Sequence, residues 1–258
     1  MNTLLNPFEP GPAATLALFA TRMSGLVMVA PAYSARTVPA MVKAGLIVLV
    51  TAALAPALLA NGAMPVVAPA PLLAELLIGI GLGLGVAVLV GAAEVAGDVI
   101  SLQTGLAGAA SLDPLTQQQS QVLSDFLRLL VITLWLGVGG HLMMLEALAE
   151  SVALLPPGVA VAGRDGAVTL IAMGSTLFAL GLQIAAPVIA AVFVANLAMG
   201  VLARIAPQLQ IFMLAYPLQI VIGVLVLALI LPLLGVTVAG WPEQYRSMVS
   251  NLISVLAR

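Results

Sequence analysis

Glu94 and Asp98 stand four residues apart in a chain that offers little other titratable chemistry. On a helix that spacing puts both carboxylates on one face, where like charges repel and each needs water or a cationic partner. Two readings are open for the pair: a wet channel wall or ion site, or a solvated helix end. His141 is the sole histidine, so a multi-histidine metal site within one chain is excluded. It reads as a polar group near a helix boundary, with a proton relay as the sharper alternative. Arg204 is the third group to be explained. It is the single ionised residue in the 77 from Gly166 to Pro242, with 38 uncharged residues on either side. No H-E-x-x-H, G-x-S-x-G or Walker sequence occurs, so no enzyme class has its nucleophile, base or metal set. Cysteine is absent, which removes disulfides, thiolate nucleophiles and cysteine metal sites. No enzyme activity and no cofactor are expected.

The elements that position these groups follow from composition. The 258-residue chain is 62% hydrophobic and 7% charged, with a mean hydropathy of +1.21, against about 25% charged residues in a soluble domain. Eighteen charges cannot cover a soluble protein of this size, so the chain belongs in a membrane or an equally apolar assembly. A net charge of −2 gives no basic surface for nucleic acid. The N-terminal stretch, with Glu9 and Pro7, Pro10 and Pro12 before its apolar run and no basic residue before Arg22, does not resemble a cleaved signal.

A spanning helix needs about 20 mostly apolar residues. On that basis six regions are expected to be helical: 13–33, 42–60, 72–93, 126–148, 167–197 and 211–236. Their apolar runs are continuous rather than alternating, which excludes a β-barrel. The proline-rich PVVAPAP (65–71) and the turn-rich LPPGVAVAGRDG (155–166) are connectors. The fold class is therefore all-α, a membrane-associated helical protein with a C-terminal helical hairpin. The hairpin answers the question of Arg204. A 38-residue arm would be about 57 Å long as one helix against a hydrocarbon core of about 30 Å, and Pro207 interrupts helix hydrogen bonding. Arg204 then sits at the hairpin tip, by a membrane–water boundary, with Pro207 and Gln208 in the turn. With six spans, Arg36, Lys43, Arg128 and Arg204 fall on one side and Arg164, Arg246 and Arg258 on the other, a small basic excess placing the tip in the cytoplasm.

GIGLGLG (79–85) contains two interleaved glycine pairs, Gly79/Gly83 and Gly81/Gly85, which let helix backbones approach closely. Glu75, near the start of its run, is expected to snorkel to the surface. Arg22 lies well inside the first run, so either that helix begins later or Arg22 faces another subunit. The polar segment 94–125 contrasts with everything around it. Asp113–Pro114 has the form of a helix N-cap followed by N1. The small polar run from Thr104 to Gln121 is either an ordinary surface loop or a loop that occludes a conduit and moves aside.

The sequences AGDVISLQTGLAGAASLDP and NLAMGVLARIAPQLQIFMLAYPLQIVIG resemble the FliR family of flagellar biosynthetic proteins, to which injectisome counterparts also belong. The likeness covers essentially the whole chain and is most specific from Asn196 to Gly223, with R-x-x-P-Q followed by Y-P-L. Gln219 stands where a lysine is expected, and the C-terminus is less basic than is common in the family. The resemblance implies a core subunit of the type III export gate in the bacterial inner membrane at the flagellar basal body. One copy would join several copies of two partner membrane proteins around a central pore that passes unfolded flagellar proteins. It implies a single export-gate subunit over 1–258, with an N-terminal helical part (1–165) and a hairpin part (166–258). The pore plug falls on 105–121, drawing on Gly105, Leu106, Gly108, Ser111, Asp113, Pro114, Gln117 and Gln121. Glu94, Asp98, Arg204, Pro207 and Gln208 become polar pore or inter-subunit positions, and the helices pack partly above the bilayer. A secondary transporter of a small solute is the alternative, using Glu94, Asp98 or Arg204 as its binding charge.

Overall fold

The computed structural model describes residues 11–35, 38–60, 65–106, 122–159, 164–206 and 211–256. The elements among the described residues are helical: α1 Pro12–Val29, α2 Pro31–Ser34, α3 Ala40–Ala60, α4 Pro69–Gln103, α5 Val122–Gly137, α6 Gly140–Leu154, α7 Arg164–Ile205 and α8 Ile211–Leu256. Five are long and apolar enough to cross a membrane, or six if α5 and α6 count as one broken span. This is the expected all-α membrane protein with its C-terminal pair of long helices. Proline sets several boundaries. Pro12 opens α1, where its missing N–H costs nothing. Ala30, held extended ahead of Pro31, closes it.

Beyond the break at Ala30 and the extension of α7 to Ile205, the helices differ from the hydropathic runs in three further places. α4 does not stop at Ala93 but continues through Glu94 and Asp98 to Gln103. The region 126–148 is broken, because Gly139 turns the chain at φ 85°, a left-handed conformation that glycine adopts without steric cost. α8 runs past Val236 and through Pro242 to Leu256. Its extension is held by Trp241, Tyr245, Val249 and Leu252, all buried and spaced along one helical face.

The chain divides into two compact units, one of residues 1–88, 135–175 and 241–258, the other of 89–134 and 176–240. In the first unit α4 is gripped on two sides by its glycines. A Cβ at Gly79 would lie 1.9 Å from the Arg22 carbonyl oxygen and one at Gly83 2.9 Å from that of Leu26, so this pair admits the α1 backbone. A Cβ at Gly81 would meet Leu252 Cδ2 at 2.3 Å and one at Gly85 would meet the Tyr245 ring at 3.0 Å, so the interleaved pair admits α8 side chains. The Tyr245 hydroxyl donates to the Leu82 carbonyl at 3.2 Å, and Trp135 meets the Tyr245 ring edge-on.

Arg22 and Glu75 both depart from expectation. Neither snorkels nor turns outward: α1 begins well before Arg22, and both side chains are completely buried, 2.6 Å apart, Nε to Oε2. The remaining Arg22 nitrogens donate to Ser151 Oγ and to the Leu155 carbonyl, each at 2.9 Å. The other Glu75 oxygen accepts the Gly158 N–H at 2.8 Å. Gly158 has φ 86° and sits against Pro65, where a Cβ would approach to 2.5 Å. A buried charge is tolerated when paired and fully hydrogen-bonded. Here the pair ties α1, α4, α6 and the turn after α6 together.

Candidate functional site

Glu94, Asp98, Gly105 and Leu106, all in the second unit, lie on the last turns of α4 and directly after it. Gly97 allows the contact that serves them. A Cβ there would lie 2.5 Å from Ser124 Cα, so α4 and α5 meet backbone to backbone. This brings two α5 side chains to the two carboxylates. Arg128 Nε lies 2.9 Å from Glu94 Oε1, with the two side chains 38% and 42% exposed. Ser124 Oγ donates to Asp98 Oδ1. Asp125 lies in the first turn of α5, where the helix dipole favours an anion. Glu94 and Asp98 thus share a face of α4, as their spacing requires, and each has a partner from α5. Arg128 and Ser124 were absent from the sequence-based candidates. The signal available was their own spacing of four, which matches that of Glu94 and Asp98 on the facing helix.

Beyond Asp98, α4 ends against the C-terminal pair of helices. Thr104 is buried, and its hydroxyl donates to the Ile100 carbonyl at 2.8 Å. A Cβ at Gly223 of α8 would lie 2.1 Å from the Thr104 methyl. Gly105 follows at φ 77°, and a Cβ on it would meet the Tyr216 ring at 2.9 Å. Gln219, one turn along α8 from Tyr216, donates through Nε2 to Asn196 Oδ1 of α7. The residue expected to be lysine is therefore an amide paired with an amide. A Cβ at Gly181 of α7 would lie 2.9 Å from the Ala92 carbonyl of α4, a further close approach in this unit.

Leu106 is half-buried at the edge of the described residues. Of the other plug candidates, Gly108, Ser111, Asp113, Pro114, Gln117 and Gln121 lie outside them, as do Pro207 and Gln208. Arg204 is exposed in the last turn of α7, where a cation complements the carbonyl end of the helix. It is not gathered with Glu94 or Asp98 by any ion pair among the described residues. α7 ends at Ile205, ahead of Pro207, and the described part of α8 begins at Ile211, with 207–210 outside the described residues. His141 is the second residue of α6, with Nδ1 buried and without a hydrogen-bond partner among the described residues. No group of three or more metal-ligating side chains occurs among the described residues.

Comparison with known proteins gives one answer along the whole chain. It is 35% identical to the flagellar biosynthetic protein FliR of Escherichia coli (strain K12) over 236 residues, which is 90% of this chain and 88% of that one. It is 38% identical to the protein of that name from Pectobacterium carotovorum subsp. carotovorum over 83% of this chain and 82% of the relative. The corresponding protein of Caulobacter vibrioides is 32% identical over 96% of this chain and 98% of its own length. Residues 13–243 match the model of the bacterial export proteins, family 1, and the chain belongs to that family.

Proposed function

We propose that this chain is a core membrane subunit of the flagellar type III export gate, building a pore with partner membrane proteins for the passage of unfolded flagellar proteins. The observation that carries the reading is the near end-to-end likeness to relatives named for flagellar biosynthesis, within a family of export proteins. The geometry adds a reason for partners. At 1.5 Å per residue α7 is about 63 Å long and α8 about 69 Å, roughly twice the hydrocarbon thickness. Lipid tails alone cannot cover outer faces of that length, which include Phe178, Phe193, Val194, Leu225 and Leu229. The remaining apolar surface is served by helices of other subunits, to which this chain contributes one copy. The complex lies in the bacterial inner membrane at the flagellar basal body. Its work is passage rather than catalysis, with neither an enzymatic step nor a cofactor. Arg204 marks the cytoplasmic tip of the hairpin, and residues 105–121 plug the pore. A small-solute transporter has no support in the family or in the relatives.

Two measurements test the reading. The native mass of the gently extracted chain, co-expressed with its neighbouring membrane proteins, should be that of a hetero-oligomer holding one copy; a chain that stays alone overturns it. Deletion of Gly108–Leu112 should make the closed complex leak ions, and unchanged conductance removes the plug assignment.

A further inference from the structure

Gln183 is the one polar side chain from Leu177 to Ala195 of α7, an otherwise unbroken apolar stretch. Its carboxamide is exposed and has no hydrogen-bond partner among the described residues. Pro187, one turn later, has no N–H to give the Gln183 carbonyl, so the backbone there loses its helical bond as well. One residue therefore presents an amide donor and two carbonyl oxygens with nothing to meet them. By contrast, Ser175 and Thr237 donate back to the Ala172 and Leu233 carbonyls, and Gln219 pairs with Asn196. Gln183 lines a groove of about 170 Å³ between α7 and α8, inside the second unit. Its apolar walls are Leu180, Ile184 and Pro187 of α7 and Ile230, Leu233 and Leu234 of α8, three or four residues apart on each helix. Such spacing sets two side-chain ridges next to each other, the form into which the ridge of a third helix packs.

We propose that this groove seats a transmembrane helix of a partner membrane subunit, one that carries a hydroxyl or amide side chain at the level of Gln183. The inference rests on the reading that the chain assembles with such subunits. Lipid is the competing occupant, and the amide decides against it. Acyl chains neither donate nor accept a hydrogen bond, and an unpaired polar group among them is costly. A polar side chain on a facing helix satisfies the amide, as Asn196 does for Gln219. A second copy offering the same face would set groove against groove and fill neither.

The test uses the complete chain co-assembled with its membrane partners and purified. A benzophenone side chain placed at Leu233, on the groove wall, should bond on illumination to a helix of a partner subunit. Mass spectrometry should locate the adduct within about one turn of a serine, threonine, asparagine or glutamine. An adduct on lipid alone, on a second copy, or on a helix with no such residue nearby overturns the proposal. Gln183→Leu should weaken association about three- to tenfold, the worth of one hydrogen bond between membrane helices, read by native mass as the complex is diluted. The unfolding midpoint of the isolated chain should not fall, because leucine there replaces an amide with no partner inside the chain. A Gln183→Leu complex held as tightly as the parent overturns the role of the amide, and so does a loss of association matched by a less stable isolated chain. A parent chain that forms no hetero-oligomer overturns the proposed function itself. One that assembles but fails either measurement leaves that function standing and removes this site.

Discussion

Arg22–Glu75 and Arg128–Glu94 use the same two functional groups at similar distances, 2.6 and 2.9 Å, in opposite surroundings. The first pair is wholly buried in the first unit, and every nitrogen of its guanidinium and both carboxylate oxygens have protein partners. The second, in the second unit, is more than one-third exposed on each side, so the chain's own groups leave its shell open. In a chain this apolar, its surroundings decide what a charge does. Where water is excluded, the ion pair must be complete, and in being complete it fixes four segments. Where the pair is left open, it is one link among several, and the helices around it are joined also by glycine contacts such as Gly97 on Ser124.

Removing one half of the enclosed pair has the largest expected effect. Glu75→Ala leaves a buried guanidinium without its counter-charge and should cost about 3–5 kcal/mol. Thermal unfolding of the detergent-solubilised complex should detect the loss, and an unchanged midpoint would contradict the burial. Removing both charges, with Arg22→Met and Glu75→Leu, should recover part of that cost. The Leu155 carbonyl and Gly158 N–H would still lose their partners, about 1–3 kcal/mol for each buried orphan. A double variant no better than Glu75→Ala would show that the polar contacts to the turn outweigh the charge pairing.

Arg128→Gln, in the half-exposed pair, should cost about 0.2–1 kcal/mol and lose most of that effect at high salt. A cost as large as that of Glu75→Ala would erase the contrast between the two regions. The smallest effect belongs to Arg246→Gln, whose partner Glu146 lies 3.2 Å away with both side chains more than half exposed. The expected change in unfolding midpoint is within experimental scatter, since such exposed pairs contribute about 0–1 kcal/mol.

The sequence was informative about helices and silent about their partners. Continuous apolar runs located the hydrophobic regions, and Pro207 with the isolated Arg204 marked the break between α7 and α8. Hydropathy ended α4 at Ala93 because it counts Glu94 and Asp98 as costs, and cannot see that Arg128 and Ser124 offset them. It ended the last run at Val236 because the amphipathic stretch holding Trp241 and Tyr245 is only one-sidedly apolar. Arg22 and Glu75 were misread for the same reason: each alone in an apolar helix looks expensive, and only the fold places them together. Thr104 and Gly223 carried no sequence signal, since a hole made by a missing side chain looks like any other helical glycine. The glycine run at 79–85 was legible as close packing, but not the division of its pairs between α1 and α8.

The buried pair also has a consequence in time. Glu75 follows Arg22 by 53 residues, so at ordinary elongation rates of about 5–20 residues per second it leaves the ribosome about 3–10 s later. Ser151 and the Leu155 carbonyl follow Arg22 by 129 and 133 residues, later still. Throughout that interval α1 carries an unneutralised guanidinium, whose entry into hydrocarbon would cost about 2.5–3.5 kcal/mol. The pair therefore cannot close until the fourth helix has been made, and the order of synthesis is not the order of burial.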